Sequence, residues 1–422
     1  MEMVDKKLKK HILVITQYFY PEQFRINDIC TEWVKRGYKV TVVTGIPNYP
    51  QGKYYDGYGL FKKRKEIYNG MDIIRIPLIP RGNNGIMLAL NYLSFVVSGF
   101  LWKALTKIKA DYVFIFEVSP MTQALPGVWY AKKRKIPCYL YVTDLWPENV
   151  EIVAGITNKR ILNSIGVMVD YIYKRCDRIF TSSESFIQAI IDRGTKREKL
   201  EFWPQYAEDY YKPVDRNNTN IPEIPQDDMF NIIFAGNIGF AQGLDVLPEA
   251  AKILKETNTK VRFNIVGDGR FKETLKSNVE ESQVTDYFNF IDKQPATRIP
   301  EFMAVSDATL ISLSKSKVFS ITLPAKTQSC LACGVPVIVS ADGEIQDVIN
   351  KADAGVCSDA GDAKGLADNI KKLVSMSVEK HKDMAQNAVE YYQKNFDKET
   401  LLNRMDKCFS NNNRNEGDRE YV

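Results

Sequence analysis

The feature that most constrains this chain is a twice-repeated alternation of short apolar runs with helical patterns. Runs rich in β-branched and aromatic residues at 11–16, 40–44, 112–116, 138–142 and 178–181 are separated by stretches with helical periodicity, such as 26–36, which Gly37 closes. A run that is apolar on both faces suits a strand covered on both sides, and strand–helix–strand order demands a parallel crossover. The alternation restarts with runs at 231–234, 261–266, 308–312 and 336–339. Between the two series, residues 206–229 are polar and carry Pro213, Pro222 and Pro225, the composition of an interdomain linker. At 422 residues the chain exceeds what one core organises. The expected class is therefore α/β, with two Rossmann-like doubly wound domains at 1–205 and 230–395. A helix over 396–409 is placed to pack back on the first domain, and the Asn-rich tail 410–422 is expected to be disordered. Open parallel sheets bind ligands beyond the carboxyl ends of their strands, so the ligand is expected in a cleft between the two sheets.

Charge divides the chain in the same place. Residues 1–205 carry 31 Lys and Arg against 19 Asp and Glu, a net +12, and the remainder carries 26 against 33, a net −7. A basic first half predicts that one domain faces an anionic surface. Lys6-Lys7, Lys9-Lys10, Lys62-Lys63-Arg64-Lys65 and Lys132-Lys133-Arg134-Lys135 supply much of that charge, although each cluster read singly is a solvated face. Residues 86–102 form the most apolar segment, interrupted only by Asn91, Ser94, Ser98 and Gly99 and followed by Lys103 and Lys107. A lone span there would split the first sheet, which leaves an interfacial helix or a core helix. Seven Cys without a leading signal segment predict free thiols in a reducing cytosol. One close pair, Cys330 and Cys333, with only two His in the chain, predicts no metal site.

Several turns carry polar groups to strand ends. Gly236-Asn237-Ile238-Gly239-Phe240-Ala241-Gln242-Gly243 follows a strand and precedes a helical pattern at 244–254, an arrangement that suits a diphosphate and equally a tight turn. Gly267-Asp268-Gly269 ends the next strand. Lys326 opens a helix after Thr322-Leu323-Pro324-Ala325, where it either neutralises a phosphate or is a solvated helix-start Lys. Asp342-Gly343-Glu344 places further carboxylates after a strand. In the first half, Asp144 and Glu148 of Thr143-Asp144-Leu145-Trp146-Pro147-Glu148 follow a buried run, and Glu117 ends the one before. Each is a candidate acid or base, or a turn residue.

Taken together, these motifs resemble a retaining glycosyltransferase of family 4 with the GT-B fold, in the bacterial capsule, O-antigen and exopolysaccharide branch. The resemblance spans nearly the whole chain. It rests on Tyr18-Phe19-Tyr20-Pro21-Glu22 with Arg25 and Asn27, on Gly45-Ile46-Pro47-Asn48-Tyr49-Pro50-Gln51-Gly52 and on Asp144-Leu145-Trp146-Pro147-Glu148. In the second half it rests on the Gly236 turn and on Leu323-Pro324-Ala325-Lys326 through Ala332-Cys333-Gly334-Val335-Pro336. The chain departs from the broad family where two Glu are usual, near Ile321 and at Ser329, and where Arg and Lys of the phosphate loop give way to Asn237 and Gln242. The frequent catalytic-region His is missing, and Asp144 stands at the comparable strand end.

The resemblance implies transfer of a sugar, with a lean to an N-acetylhexosamine or deoxy-aminosugar, from a UDP-sugar to an undecaprenyl-diphosphate-linked saccharide. The setting implied is the inner face of the cytoplasmic membrane, with peripheral association, no cofactor, no bound metal and no nucleic-acid partner. Asp144, Lys326 and Glu148 are the expected catalytic residues. Gly236, Asn237, Gly239, Gln242, Gly243, Gly267, Asp268, Thr322, Leu323, Pro324, Lys326 and Ser329 are expected on the donor side. Tyr20, Glu22, Arg25, Asn27, Asn48 and Glu117 are expected on the acceptor side. Two rival readings stay open: a UDP-N-acetylhexosamine epimerase of the same fold, and a non-catalytic scaffold of a polysaccharide assembly complex.

Overall fold

A computed structural model describes residues 9–82, 84–225 and 227–410, which divide into two units between Trp203 and Pro204. The first unit holds strands β1 (Lys9–Ile15), β2 (Tyr38–Thr44), β3 (Lys65–Tyr68), β4 (Met71–Arg75), β5 (Tyr112–Glu117), β6 (Cys138–Val142), β7 (Arg178–Thr181) and β8 (Leu200–Phe202). Its helices are α1 (Arg25–Lys35), α2 (Gly85–Leu105), α3 (Ala124–Arg134), α4 (Glu148–Ala154), α5 (Lys159–Arg175) and α6 (Phe186–Asp192). The eight strands form one sheet in the order β3-β4-β2-β1-β5-β6-β7-β8, parallel except where β3 meets β4. Every side chain of β5 and β6 is buried, as continuous apolar runs require when helices cover both faces. Helices pack closely where glycine permits: a Cβ on Gly127 of α3 would come within 2.7 Å of Ile115 of β5, and one on Gly99 of α2 within 2.3 Å of Pro126 of α3.

The second unit holds β9 (Phe230–Asn237), β10 (Val261–Asp268), β11 (Phe288–Ile291), β12 (Ala308–Ser312), β13 (Val337–Ser340) and β14 (Gly355–Ser358). Its helices are α7 (Val246–Glu256), α8 (Lys272–Glu281), α9 (Ile299–Ala304), α10 (Lys317–Ser320), α11 (Lys326–Cys333), α12 (Glu344–Ala352), α13 (Ala363–Val374), α14 (Val378–Asn395) and α15 (Lys398–Ser410). The strands form an all-parallel sheet in the order β11-β10-β9-β12-β13-β14. Both sheets are thus the Rossmann-like α/β layers that the alternation predicts.

Every strand expected from the periodicity forms. The β3–β4 hairpin and the edge strands β8, β11 and β14 escaped the sequence reading, because each is only three to five residues long and partly exposed. Residues 206–229, expected to form a linker, belong to the second unit: Ile221 and Ile224 are buried in its core beside Phe302 and Leu331. A polar, proline-containing segment can be anchored by two isoleucines that its average composition hides. The helix expected at 396–409 is α15, counted with the second unit. Of the expected disordered tail, all but Ser410 lies outside the described residues, as do Lys6 and Lys7.

Candidate active site

In the second unit, β9 pairs with β10 along its whole length, down to Asn237 beside Asp268, but with β12 only at Ile232–Ala308 and Ile233–Thr309. The two strands part before their carboxyl ends, at the place where strand order reverses, which is where open α/β sheets form a crevice. Lys326, the first residue of α11, fills that gap. Its Nζ lies 3.4 Å from the Ala235 carbonyl, to which it donates, and 3.9 Å from the centroid of the Phe234 ring. A Cβ on Gly236 would stand 3.3 Å from the same nitrogen. The residue as a whole is only half-buried, yet the ammonium itself is packed deeply enough that desolvation pushes its pKa down to about 8. Among the described residues no carboxylate pairs with it. A cation held this way, beneath a glycine turn and without an anion, is poised for an anionic ligand.

The turn above Lys326 is built from backbone. A Cβ on Gly267 would fall 2.0 Å from the Gly236 carbonyl oxygen, and one on Gly269 would fall 2.2 Å from that of Ile238, so the two glycine turns nest with no room for side chains. Gln242 Oε1 accepts from the Gly239 N–H at 3.1 Å and from Asn237 Nδ2 at 3.3 Å, tying the turn to itself. Gly243 adopts φ +57°, its carbonyl accepts from Ser312 Oγ at 3.2 Å, and Ser314 N donates to Ala241 O at 3.0 Å. This left-handed residue interrupts the helix expected at 244–254: a 3-10 turn at Phe240–Gln242 comes first and α7 starts only at Val246. Asp268 is exposed and caps its own turn by accepting from Gly269 N at 2.8 Å. Thr322 Oγ1 donates to Val318 O at 2.7 Å, and the Pro324 carbonyl accepts from Thr327 N at 2.9 Å, which shapes the entry to α11. Leu323 and Ser329 are buried, Ser329 inside the helix. Cys330 and Cys333 are buried free thiols on the same helix, and no cluster of metal ligands occurs among the described residues.

The polar residues of the first unit are mostly bonded to one another. Glu22 is buried, and its carboxylate accepts from the backbone N–H groups of Phe19, Asn48 and Tyr49 at 3.2, 2.8 and 2.7 Å. Burial pushes its pKa up to about 7 against the pull of those donors. Asn27 accepts from Tyr20 N and donates to Glu22 O. Tyr20 stacks on Tyr68, centroids 3.8 Å apart, and its carbonyl accepts from Arg75, whose fully buried guanidinium pairs with Glu66. Arg25 opens α1 just beyond. Asn48 Oδ1 accepts from Arg81 N at 3.0 Å and from Asn91 Nδ2 at 3.4 Å, and Asn91 Oδ1 accepts from Gln17 Nε2 at 2.7 Å. Glu22 and Asn48 thus clamp the two loops after β1 and β2, with Asn91 of α2 as the third jaw.

A second group gathers after β5 and β6. Glu117 is fully buried, with Oε1 unbonded among the described residues and Oε2 3.4 Å from Asp144 N. Burial, then the adjacent Asp144 charge, holds Glu117 well above the usual carboxyl range. Asp144 is half-buried, and its Oδ2 accepts from Ser119 N at 2.8 Å; Trp146 Nε1 donates to Ser119 Oγ at 3.1 Å. Glu148 opens α4 with a buried Oε2 that has no partner among the described residues, and the buried hydroxyl of Tyr173 is in the same condition. Glu117 and Glu148 both act on Tyr173, whose pKa burial raises. The structure therefore gathers Asp144, Glu117 and Glu148 with Tyr173, and gathers Glu22, Asn27 and Asn48 separately.

Sequence reasoning missed Gln17, Asn91, Tyr92 and Tyr173. Tyr92 of α2 stacks edge-on to Trp146, with centroids 6.4 Å apart; its pKa is raised, chiefly by burial and in part by the Asp144 charge. The signal for Asn91 was present: it lies opposite the exposed apolar stripe of its own helix, so an amide there had to find partners inside.

The fold is GT-B, and the matches to glycosyltransferase family models and relatives make the chain a glycosyltransferase. Residues 24–205 match the family model described as Glycosyltransferase Family 4, and residues 215–391 match Glycosyl transferases group 1. The chain is 25% identical over 415 residues to a colanic acid biosynthesis glycosyl transferase, WcaI, of Escherichia coli K12, covering 93% of this chain and 97% of that one. Among solved structures it resembles sucrose-phosphate synthase of Thermosynechococcus elongatus, with TM-score 0.75 and 15% identity over 95% of this chain and 98% of that one. It also resembles Anabaena HepE in complex with UDP and glucose, with TM-score 0.68 and 15% identity over 95% and 100%.

Proposed function

We propose that this enzyme transfers a sugar from a UDP-sugar to a lipid-linked saccharide during assembly of a cell-surface polysaccharide, with retention of anomeric configuration. The observation that carries this reading is the ammonium of Lys326, buried without a carboxylate under the backbone turn at Gly236. The departing diphosphate develops negative charge in the transition state, and a preorganised cation in a desolvated crevice stabilises that charge more than the ground state. Gly236, Asn237, Gly239 and Gln242 form the turn over that ammonium, which shapes the donor side, and the proposed reaction uses no resident metal or cofactor. The solved UDP complex of HepE supports a uridine donor, and the name of the E. coli relative supports an exopolysaccharide product. Asp144, half-exposed and fixed by Ser119, serves the acceptor hydroxyl, with buried Glu117 behind it and Glu148 beside it as positioning groups. The acceptor is an undecaprenyl-diphosphate-linked saccharide at the inner membrane face, and an N-acetylhexosamine or deoxy-aminosugar is the donor sugar favoured.

Nucleotide release from UDP-, GDP- and dTDP-sugars, with and without a bacterial lipid-linked acceptor extract, tests the proposal. Extract-dependent UDP release from one donor is the expected result. Release of GDP or dTDP alone, or interconversion of the UDP-sugar without extract, would overturn it.

A further inference from the structure

We infer that α2 is an interfacial helix whose outer face lies on an anionic phospholipid surface with its axis along the membrane plane. This rests on the reading of a lipid-linked acceptor above and names the surface that reaches it. Ile86, Leu90, Leu93, Val97, Leu101 and Leu105 follow one another at spacings of three and four and are 40 to 80% exposed. That spacing puts them in one stripe, and a contiguous apolar stripe in water marks an interaction surface. The helix is 21 residues long and apolar enough to cross a bilayer by composition. Its other face decides against crossing. Asn91, Phe95 and Gly99 lie opposite the stripe and are buried: Asn91 is bonded to Gln17, Asn48 and Ile79 O, and Gly99 packs against Pro126. A spanning helix would have to surrender those bonds, whereas a helix lying flat keeps them.

The charge around the stripe selects the partner. Residues 73–110 contain no Asp or Glu, while Lys103, Lys107 and Lys109 follow the apolar stretch. The basic run 132–135 at the end of α3 is tied to the same end: Lys133 Nζ donates to the Lys103 and Ala104 carbonyls at 3.1 and 2.9 Å, and Arg134 donates to Thr106 O at 2.9 Å. An apolar face flanked by lysines combines the two signals that hold a peripheral protein on an anionic membrane. Docking also has a route to the site, because Asn91 joins the clamp that holds the Glu22 and Asn48 loops and Tyr92 faces Trp146.

Co-sedimentation of the full-length protein with phosphatidylglycerol–phosphatidylethanolamine vesicles, against phosphatidylcholine alone, tests this. The wild type should pellet with the anionic vesicles, less so at high salt. Leu93→Glu with Val97→Glu should weaken binding about tenfold or more. Lys132→Gln should weaken it about fivefold. Both variants should bind UDP as the wild type does, which shows that they fold. Wild-type protein that stays in the supernatant, or a double variant that binds vesicles equally well, overturns the inference. So does a wild-type dimer that the double variant converts to monomer while neither binds lipid, since the face would then join two copies. Wild-type protein that does not bind vesicles yet gives extract-dependent UDP release would sink the docking surface and leave the transferase reading intact. Vesicle binding kept with no such release would do the reverse.

Discussion

The turn at Gly236 and the loops after β1 and β2 both sit at strand ends, and they use polar chemistry in opposite ways. Around Gly236 the groups are backbone amides, one amide side chain that ties the turn to itself, and a single ammonium with no carboxylate near it. Around Glu22 and Asn48 the side chains are numerous, but nearly every one is bonded to a neighbouring backbone or amide. A desolvated charge with no counter-ion is costly unless a ligand completes it, so the Lys326 ammonium is the candidate binding group. A network in which the Glu22 and Asn48 side chains are bonded on every side marks a framework. The comparison teaches that polar residues at strand ends are to be judged by what they still lack.

If the contrast is sound, the largest effect belongs to the ammonium. Lys326→Met should lower kcat/KM for the UDP-sugar by about 100-fold to 1,000-fold with little change in melting temperature, because it removes charge from the transition state and gives up only the 3.4 Å bond to the Ala235 carbonyl. Next comes the backbone itself. Gly267→Ala, which drives a Cβ to within 2.0 Å of the Gly236 carbonyl at φ +149°, should destabilise the second domain by about 3 kcal/mol, read by thermal unfolding.

The framework should respond in the opposite sense. Glu22→Ala leaves three backbone N–H groups unbonded, so it should reduce stability by about 3 kcal/mol and raise the acceptor KM while leaving UDP affinity unchanged. A loss of UDP affinity in that variant would erase the distinction between the two regions. The smallest effect is expected from Gln242→Ala, which loosens the turn without removing charge and should weaken UDP binding by about threefold to tenfold in titration calorimetry.

Much of this was legible in the sequence, for a physical reason. Strands buried on both faces, such as β5 and β6, must be continuously apolar, and the residue closing such a run, Glu117 or Asn237, must stand at the sheet's carboxyl edge. Burial and pairing were not legible. Glu117 and Asp144 read alike as strand-end carboxylates, yet one is sealed in the core and the other half-exposed: Glu117 is still within β5, paired with Val142, whereas Asp144 lies two residues beyond β6, a boundary that no local pattern encodes. Lys326 remained ambiguous between ligand and solvated helix start because only the early parting of β9 from β12 opens the gap that receives it. The segment 86–102 left two readings open, and the structure divides the helix between them: Phe95 and Gly99 make a core contact while the stripe from Ile86 to Leu105 stays outside.

The central claim is that the Lys326 ammonium holds the donor diphosphate, and calorimetric titration of UDP into wild type and Lys326→Met across pH 6.5 to 9.5 tests it most directly. The folded pKa of about 8 lies below the ordinary 10.5 of lysine, so the ligand-free protein should start to lose the charge as pH rises through 8 and gain stability from there up to 10.5. UDP affinity should therefore be greatest below pH 8 and fall by up to about tenfold per unit above it in the wild type. Lys326→Met should bind weakly and with no such dependence. Equal affinities for the two proteins, or a wild-type affinity that stays flat from pH 7 to 9.5, would contradict the account.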